Sequence, residues 1–329
     1  MNKKVRALGL LSGGLDSILA VKVIEAQGIE VIGLSFVTPF FGAKLAEKAA
    51  EDLKIELIIQ DITARHFEML KNPDHGYGKT MNPCIDCHAL MFNIAGKIME
   101  EKNYDFIFTG EVLDERPMSQ NRRSLQVVSR SSGYADYILR PLSAKLLDPI
   151  KPELEGQIDR EKLLSIRGRS RKPQISLAKE FNVIEYPNPA GGCLLTDQGF
   201  SNRLKELLSK NSQPDKRDLD LLSVGRHFRL GDNHKLVLGR DQSENKVIND
   251  FYLDNDCLLT VKDIPGPSCL LIGSSNDMEL FIEKTAKICA AYSDTKENEQ
   301  YIVLVEYKQQ SKEVVVIVDK NDRTELRIN

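Results

Sequence analysis

A glycine- and serine-rich turn follows the first apolar run of the chain, and its residue types suit the binding of a phosphate. Gly13 and Gly14 carry no side chain, so the backbone can approach an anion closely. Ser12 and Ser17 can donate hydroxyl hydrogen bonds, and Asp16 can hold Mg²⁺ against phosphate oxygens. A helical pattern begins directly after the turn, and a helix N-terminus favours anions. The segment therefore predicts a strand–turn–helix phosphate site, without the lysine that a Walker loop requires.

Three cysteines have the spacing of a site that handles sulfur or metal. Cys84 and Cys87 form a C-x-x-C pair at the start of a predicted helix, where the helix N-terminus is expected to favour thiolates. Cys193 lies far along the chain in a glycine-rich loop, where the backbone could bring it close to a ligand. The other cysteines lie in apolar runs and are expected in the core: Cys257, Cys269 and Cys289.

Four kinds of chemistry fit this trio. The sequence CIDCH matches a c-type haem attachment site, but no export signal accompanies it. A structural zinc site needs four ligands, and His88 could be the fourth. Two cysteines could instead carry a persulfide and resolve it by forming a disulfide. In the fourth case three cysteines ligate a [4Fe–4S] cluster and leave one iron open. The spacing alone does not separate the cluster from the persulfide.

Polar residues also follow a later predicted strand, at the place where doubly wound sheets bind ligands. Gly110 would let the backbone approach a nucleotide, and Glu111 could orient a ribose or a metal. Arg116 could reach a phosphate or a target base. For each residue taken singly, a polar helix start is the alternative explanation.

Basic residues cluster in a chain whose net charge is only −3, so contact with a nucleic acid would need a local patch. The segment with Arg167, Arg169, Arg171 and Lys172 predicts such a contact, and a solvated surface is the alternative. The C-terminal part offers a second possible RNA surface, which consists of Arg226, Arg229, Lys235 and Arg240.

The order of strands and helices predicts how these groups are positioned. Up to residue 180, strand-like apolar runs alternate with helical patterns, which indicates a doubly wound parallel sheet with helices on both faces. We expect this α/β domain at 1–180. A loop with Cys193 and a linker helix should follow at 181–211, and a smaller α+β domain, a candidate RNA-binding module, at 212–329.

Composition narrows the class of protein. The chain has 329 residues, 41% of them hydrophobic, which is enough for two folded domains. It contains no apolar run of the roughly 18 residues that predict a membrane span, and its N-terminal apolar stretch is too short for a signal peptide. We therefore expect a cytoplasmic protein without membrane association, in which a disulfide framework is not expected.

Residues 12–17, Ser-Gly-Gly-x-Asp-Ser, resemble the PP-loop of the ATP pyrophosphatase superfamily, whose domain has an adenine nucleotide alpha-hydrolase-like fold. The resemblance implies that ATP and Mg²⁺ bind at this turn. It also implies that ATP is cleaved between its α and β phosphates, with transfer of AMP to a substrate oxygen. Ser35 and Phe36, at the end of the second strand, would then lie beside the adenine. The later segments TGEV and RPMSQ look like motifs of thiouridylase-like members.

A PP-loop followed by a C-x-x-C pair and one distant cysteine is similar to the iron–sulfur-dependent tRNA thiolation enzymes. The resemblance covers about the first 200 residues. It implies an ATP-dependent tRNA-uridine sulfurtransferase in which Cys84, Cys87 and Cys193 hold a [4Fe–4S] cluster. The implied partners are tRNA and a sulfur donor, either a cysteine desulfurase relay or free sulfide. The alternatives are persulfide chemistry without a cluster, a zinc site, or a non-catalytic metal-containing protein that binds nucleotide or RNA.

Overall fold

The computed structural model describes residues 4–187, 192–273, 277–323 and 326–328. The chain divides into two compact units, Met1–Thr196 and Asp197–Asn329. This division falls inside the segment 181–211, which the sequence assigns to a loop and a linker helix. Residues 188–191 of that predicted loop lie outside the described residues, and the predicted linker helix belongs to the second unit.

In the first unit, parallel strands alternate with helices. The strands are β1 (Arg6–Leu10), β2 (Glu30–Val37), β3 (Glu56–Asp61), β4 (Phe106–Thr109) and β5 (Ile138–Leu139). The helices are α1 (Leu15–Glu25), α2 (Lys44–Leu53), α3 (Thr63–Lys71), α4 (Cys84–Lys102), α5 (Arg122–Ser132), α6 (Lys151–Leu154) and α7 (Lys172–Glu180).

The order of the strands across this sheet is β3-β2-β1-β4-β5, and every neighbouring pair is parallel. Strands β2 and β3 lie on one side of β1, and β4 and β5 lie on the other. The strand order therefore reverses between β1 and β4. In open α/β sheets, ligands bind beyond the carboxyl ends of the strands at such a reversal, which places the expected site after Leu10 and Thr109.

Successive residues of a strand point to opposite faces, so the sheet has two hydrophobic cores. Ala7 and Phe108 pack on one face with residues of α1 and α2. Leu8 and Ile107 pack on the other face with residues of α4 and α5. The predicted doubly wound α/β architecture is confirmed.

The second unit contains an antiparallel sheet, as expected for the smaller α+β domain. Its strands are β6 (Arg226–Gly231), β7 (His234–Leu238), β8 (Cys257–Val261), β9 (Cys269–Ile272), β10 (Gln300–Tyr307) and β11 (Gln310–Ile317), in the order β11-β10-β8-β9-β7-β6. Its helices are α8 (Gln198–Lys210), α9 (Lys216–Leu221), α10 (Gln242–Asp250) and α11 (Met278–Tyr292).

Helix α11 covers one face of this sheet and completes its larger core. Cys257, Cys269 and Cys289 are all fully buried there, as predicted. The sequence patterns did not predict α9 and α10, which are short and polar. Within the described residues, none of the helices combines the length and the apolar character that crossing a bilayer requires.

Candidate active site

The turn between β1 and α1 has the geometry of an anion site. Gly13 adopts a positive φ of 77°, a conformation that side chains disfavour. The Ser17 hydroxyl donates to the carbonyl of Gly14 at 2.8 Å and lies 3.3 Å from the hydroxyl of Ser12. No side chain caps α1 at Gly14 in the described part of the chain, which leaves the first backbone N–H groups of the helix available to an anion.

Gly110 follows β4 and packs directly against this turn. A Cβ atom at position 110 would lie 2.5 Å from both the Asp16 carbonyl carbon and the Ser17 nitrogen. The sequence predicts close backbone approach at Gly110, with a nucleotide as the partner. In the structure its close partner is the first turn of α1, so Gly110 sets the position of the phosphate turn.

Asp16 lies in a pocket of polar groups that lack partners. Its Oδ1 atom is buried and accepts no hydrogen bond from the described residues. Burial raises the pKa of the Asp16 carboxyl, and the nearby side chains of Arg171 and Gln174 oppose that rise. Gln174 is fully buried, yet neither its amide nitrogen nor its amide oxygen has a partner of good geometry, and the same holds for Arg171 Nε. Gln174 lies close enough to Asp16 to lower its pKa through a hydrogen bond, so Arg171 Nε is the group here that most clearly awaits a polar ligand.

A second carboxylate, Glu115, lies close to Asp16. Burial raises the pKa of Glu115, and the negative charge of Asp16 raises it further. Two carboxylates that repel each other, one with an unpartnered buried oxygen, are the oxygen ligands that Mg²⁺ accepts together with phosphates. The residues present therefore fit Mg²⁺.

The predicted basic segment lies beside this pocket, and its side chains serve different purposes. Gly168 N–H donates to the carbonyl of Leu113 at 2.7 Å, which ties the segment to the loop after β4. Arg167 pairs with Asp114 at 3.0 Å. Arg171 faces Asp16, as described above. The remaining two basic residues, Arg169 and Lys172, are exposed and stay candidates for RNA contact.

The three cysteines of the first unit come together, although more than 100 residues separate Cys87 from Cys193. Burial raises the pKa of the Cys87 thiol far above its usual value, and the charges of Cys193 and Cys84 raise it further. Burial also raises the pKa of Cys193 to about 11, and Cys84 adds to that rise. Each thiol is therefore within electrostatic reach of the other two. The expected preference of Cys87 for the thiolate is wrong, because burial outweighs the helix N-terminus.

Hydrogen bonds with two other segments hold the loop of Cys193 at this position. Leu194 N–H donates to the carbonyl of Phe40, just beyond β2, at 2.9 Å. The hydroxyl of Thr80, just before α4, donates to the carbonyl of Leu195 at 2.7 Å. The chain thus carries Cys193 back to the carboxyl edge of the sheet.

His66 is a site residue that the sequence reasoning missed. Its Nε2 atom lies 3.4 Å from the Cys87 sulfur, and its ring packs against the rings of Phe40 and Phe41 at 5.5 Å between centroids. Burial lowers the pKa of His66 to about 4, so the imidazole is neutral at pH 7. A lone histidine on a short helix gave no sequence signal, because only the tertiary fold brings α3 against Cys87.

His88 and Glu111 are engaged with each other. Glu111 Oε1 lies 2.8 Å from His88 Nδ1, and Glu111 Oε2 accepts from Arg140 Nε at 2.9 Å. Burial alone would raise the pKa of Glu111, but Arg140 and His88 outweigh it and hold the pKa at about 2. Both oxygens of Glu111 are thus occupied, and its contact with a ribose or a metal stays a prediction.

Ser35 and Phe36 are buried in β2, Phe36 within a hydrophobic core, and their place beside adenine also stays a prediction.

The three cysteines do not form a metal site in their present conformation. As the side chains stand, no three His, Cys, Asp or Glu residues in the described part of the chain form a group that could hold a metal ion. A zinc site with His88 as the fourth ligand finds no support in this geometry. A cluster at the three cysteines would require their side chains to rearrange.

In the second unit, most of the predicted basic surface is neutralised internally. Arg229 pairs with Glu206, and Arg240 pairs with Glu244. The Arg226 guanidinium lies over the ring of Tyr292, 5.1 Å from its centroid. The fourth basic residue, Lys235, is buried.

Two family models match different parts of the chain. Residues 3–148 match the model described as Thiamine biosynthesis protein (ThiI). Residues 225–327 match the model described as NFACT protein RNA binding domain. Each match lies within one of the two structural units.

Known proteins resemble the chain over different lengths. The tRNA-specific 2-thiouridylase MnmA 2 of Thermoanaerobacter sp. is 26% identical, over 92% of this chain and 87% of that protein. The tRNA sulfurtransferase of Desulfurococcus amylolyticus is 32% identical, over 42% of this chain and 29% of that protein. A solved 4-thiouridine synthetase–RNA complex with bound ATP is 19% identical, with a TM-score of 0.34, over 54% of this chain and 52% of that one. The ThiI family model and the sequence relatives confirm the predicted resemblance to PP-loop proteins of the tRNA thiouridylase and sulfurtransferase kind.

Proposed function

We propose that the chain is an ATP-dependent tRNA sulfurtransferase that replaces a carbonyl oxygen of a uridine by sulfur. One observation carries the proposal: the charge of Arg116 acts on Asp16 at the phosphate turn and also on Cys193 in the cysteine trio. A single side chain within electrostatic reach of both groups supports a site in which nucleotide and sulfur chemistry are neighbours.

The reaction needs both halves of this site because a carbonyl oxygen is a poor leaving group. The uridine oxygen attacks the α-phosphorus of ATP, the bond between that phosphorus and the bridging oxygen breaks, and pyrophosphate leaves. The N3 proton is released at this step. A sulfur nucleophile then adds to the carbon, AMP leaves with the former carbonyl oxygen, and a proton returns as the thiocarbonyl forms.

The residues of the chain act mainly on the charges of this reaction. The N–H groups of the turn and the hydroxyls of Ser12 and Ser17 would hold the pyrophosphate oxygens, where negative charge develops. Arg171 faces the same space with an unpartnered Nε. Asp16 and Glu115 would hold Mg²⁺, which when bound neutralises phosphate charge.

For the sulfur half, we propose that Cys84, Cys87 and Cys193 hold a [4Fe–4S] cluster, with persulfide transfer between cysteines as the alternative. Cluster ligands are thiolates, whereas burial keeps the Cys87 and Cys193 thiols protonated at neutral pH in the free protein. Cluster binding would therefore release protons. Anaerobic reconstitution with iron and sulfide tests this: a broad absorption band near about 400 nm supports the cluster. Sulfur transfer by iron-free protein from a cysteine desulfurase relay, but not from sulfide alone, would favour the persulfide, because sulfide cannot form a persulfide without an oxidant.

The relatives support the substrate class. The two curated proteins are named as a tRNA 2-thiouridylase and a tRNA sulfurtransferase, and the second unit matches an RNA-binding domain. We therefore propose tRNA as the substrate. We further propose that free sulfide or a cysteine desulfurase relay donates the sulfur.

The decisive experiment incubates the full chain with ATP, Mg²⁺, sulfide and an unmodified tRNA transcript under anaerobic conditions. Pyrophosphate release and thiolated nucleosides are measured together. Asp16→Asn should abolish both, and Asp52→Asn, which changes an exposed carboxylate on α2, should abolish neither. Binding of ATP or RNA without any pyrophosphate release would instead favour a non-catalytic nucleotide- or RNA-binding protein.

A further inference from the structure

The second unit contains a cleft that the proposed chemistry does not use. Its volume is about 180 Å³, and it lies between α8, α9 and strands β6, β7 and β9. The floor of this Lys235 cleft is apolar and consists of Leu207, Leu221, Val237 and Ile272. The charged residues that line it are Lys210, Asp218, Arg229, Asp232 and Lys235.

Four of these five charged groups already have a partner. Lys210 pairs with Asp232 at 2.8 Å. Arg229 pairs with Glu206, which lies next to the cleft, at 2.6 Å. Asp218 accepts from the amide of Asn211 at 3.2 Å. Each of these four groups therefore has a direct partner among the described residues.

Lys235 is the exception. It is only 9% exposed, and no acceptor among the described residues lies within hydrogen-bonding distance of its Nζ. Burial lowers its pKa to about 8, and the nearby Arg229 and Arg203 lower it further, against the opposing effect of Glu206 and Asp218. Lys210, Arg229 and Lys235 thus face an equal number of carboxylates, on Asp218, Asp232 and Glu206, while Arg203 lies near Asp197 and Glu244. Lys235 Nζ is not among the fully buried unpartnered atoms, so it opens into the cleft, where an anion would give it a direct partner.

We propose that the Lys235 cleft binds a phosphate group of RNA, with Lys235 as its charged ligand. A phosphate would lie against the Nζ of Lys235 and within reach of the outer cations Lys210 and Arg229. The apolar floor would accept the sugar or base attached to that phosphate. Because the unit matches an RNA-binding domain, an RNA phosphate is the source that we favour over free phosphate.

The inference rests on the proposed function only in taking tRNA as the probe, because its test measures binding and no thiolation. The full chain is titrated against a labelled unmodified tRNA across a salt series. Lys235→Gln should weaken binding about tenfold and reduce the salt slope by about 1. Lys235→Arg should retain the affinity. Lys262→Gln removes an exposed, ion-paired lysine from the same unit and should change neither quantity.

A second measurement uses the wild-type chain, so it does not depend on how the variants fold. Acetylation of Lys235 is followed by mass spectrometry, alone, with tRNA and with millimolar inorganic phosphate. Protection by tRNA supports the proposal. Protection by phosphate alone, with unchanged RNA binding by Lys235→Gln, overturns the RNA source and assigns the cleft to a free phosphate. The proposal is overturned altogether if Lys235→Gln binds tRNA with unchanged affinity and neither tRNA nor phosphate protects Lys235 against acetylation. Absence of thiolation in a chain that binds tRNA through Lys235 would count only against the proposed function.

Discussion

The backbone of Gly110 lies directly against that of Asp16, so that a Cβ at position 110 would be 2.5 Å from the Asp16 carbonyl carbon. These residues belong to the two halves of the strand reversal, since Asp16 follows β1 and Gly110 follows β4. The contact fixes the first turn of α1, and with it the N–H groups that face the phosphate space. It also fixes the start of the loop that carries Glu115 and Arg116.

Gly110→Ala is therefore expected to damage the phosphate turn. Overpacking of this kind costs about 1–3 kcal/mol in the free energy of unfolding. Because relief of the clash must shift the turn, ATP affinity should fall together with stability. Isothermal titration with ATP and urea unfolding measure the two effects. Gly42→Ala is the matched control, since a Cβ there meets nothing within 4 Å. Normal ATP affinity in Gly110→Ala would refute the role of this contact.

The basic segment should separate into two functions when its arginines are changed one at a time. Arg171 faces Asp16 from the start of α7, so Arg171→Gln should weaken ATP binding about tenfold or more by removing a charge-assisted contact. Arg169 is exposed two residues earlier, so Arg169→Gln should reduce the salt slope of tRNA binding by about 1 and leave ATP binding unchanged. The paired titrations measure both ligands for both variants. The assignment of Arg171 to the ATP site fails if Arg171→Gln changes the salt slope of tRNA binding and leaves the ATP affinity unchanged.

The sequence could predict the groups that local pattern determines. The turn from Ser12 to Ser17, the strands of both sheets and the buried cysteines of the second unit follow from apolar periodicity and glycine placement. The sequence could not separate Arg171 from Arg169, because both look like surface charges until α7 is packed against α1. Gln174 gave no signal for the same reason.

The error at Cys87 shows which effect dominates inside the fold. A helix N-terminus contributes about 0.3–1 kcal/mol towards an anion, whereas full burial can shift a pKa by several units in the opposite direction. Burial depends on the packing of α3 and of the Cys193 loop against α4, which are long-range contacts. The local sequence around Cys87 therefore predicted the wrong direction for the pKa shift of its thiol.

Glu111 should make the stability of the first unit depend on acid pH. Its pKa is about 2 in the folded chain, against an ordinary value of 4.5, so the folded state favours the ionised form. This difference between the two pKa values contributes about 3 kcal/mol to the free energy of unfolding at neutral pH. That stabilisation is fully present above about pH 5 and is lost as the pH falls through 4.5 towards 2.

The test compares the wild type with Glu111→Gln by urea unfolding between about pH 3 and pH 7. The variant leaves Arg140 buried without its carboxylate, so it should be less stable by about 3 kcal/mol or more at pH 7. The difference should shrink as the pH falls. Glu180→Gln, at an exposed position on α7, should show no such trend. A difference that stays constant with pH would mean that the ion pair does not hold the carboxyl ionised.

The cysteine trio should separate sulfur transfer from adenylation. Cys84→Ala, Cys87→Ala and Cys193→Ala should each lower sulfur incorporation by roughly 10³-fold or more, the scale of loss when a catalytic group is removed. Pyrophosphate release should persist in each variant, because the phosphate turn and Asp16 remain intact. Cys257→Ala, in the core of the second unit, should affect neither reaction beyond a loss of stability. Nucleoside mass spectrometry and a pyrophosphate assay on the same samples provide both readouts. Since Cys193 reaches the other two thiols only through the fold, it is the most informative of the three. Undiminished thiolation by Cys193→Ala would remove the main support for sulfur transfer at this site.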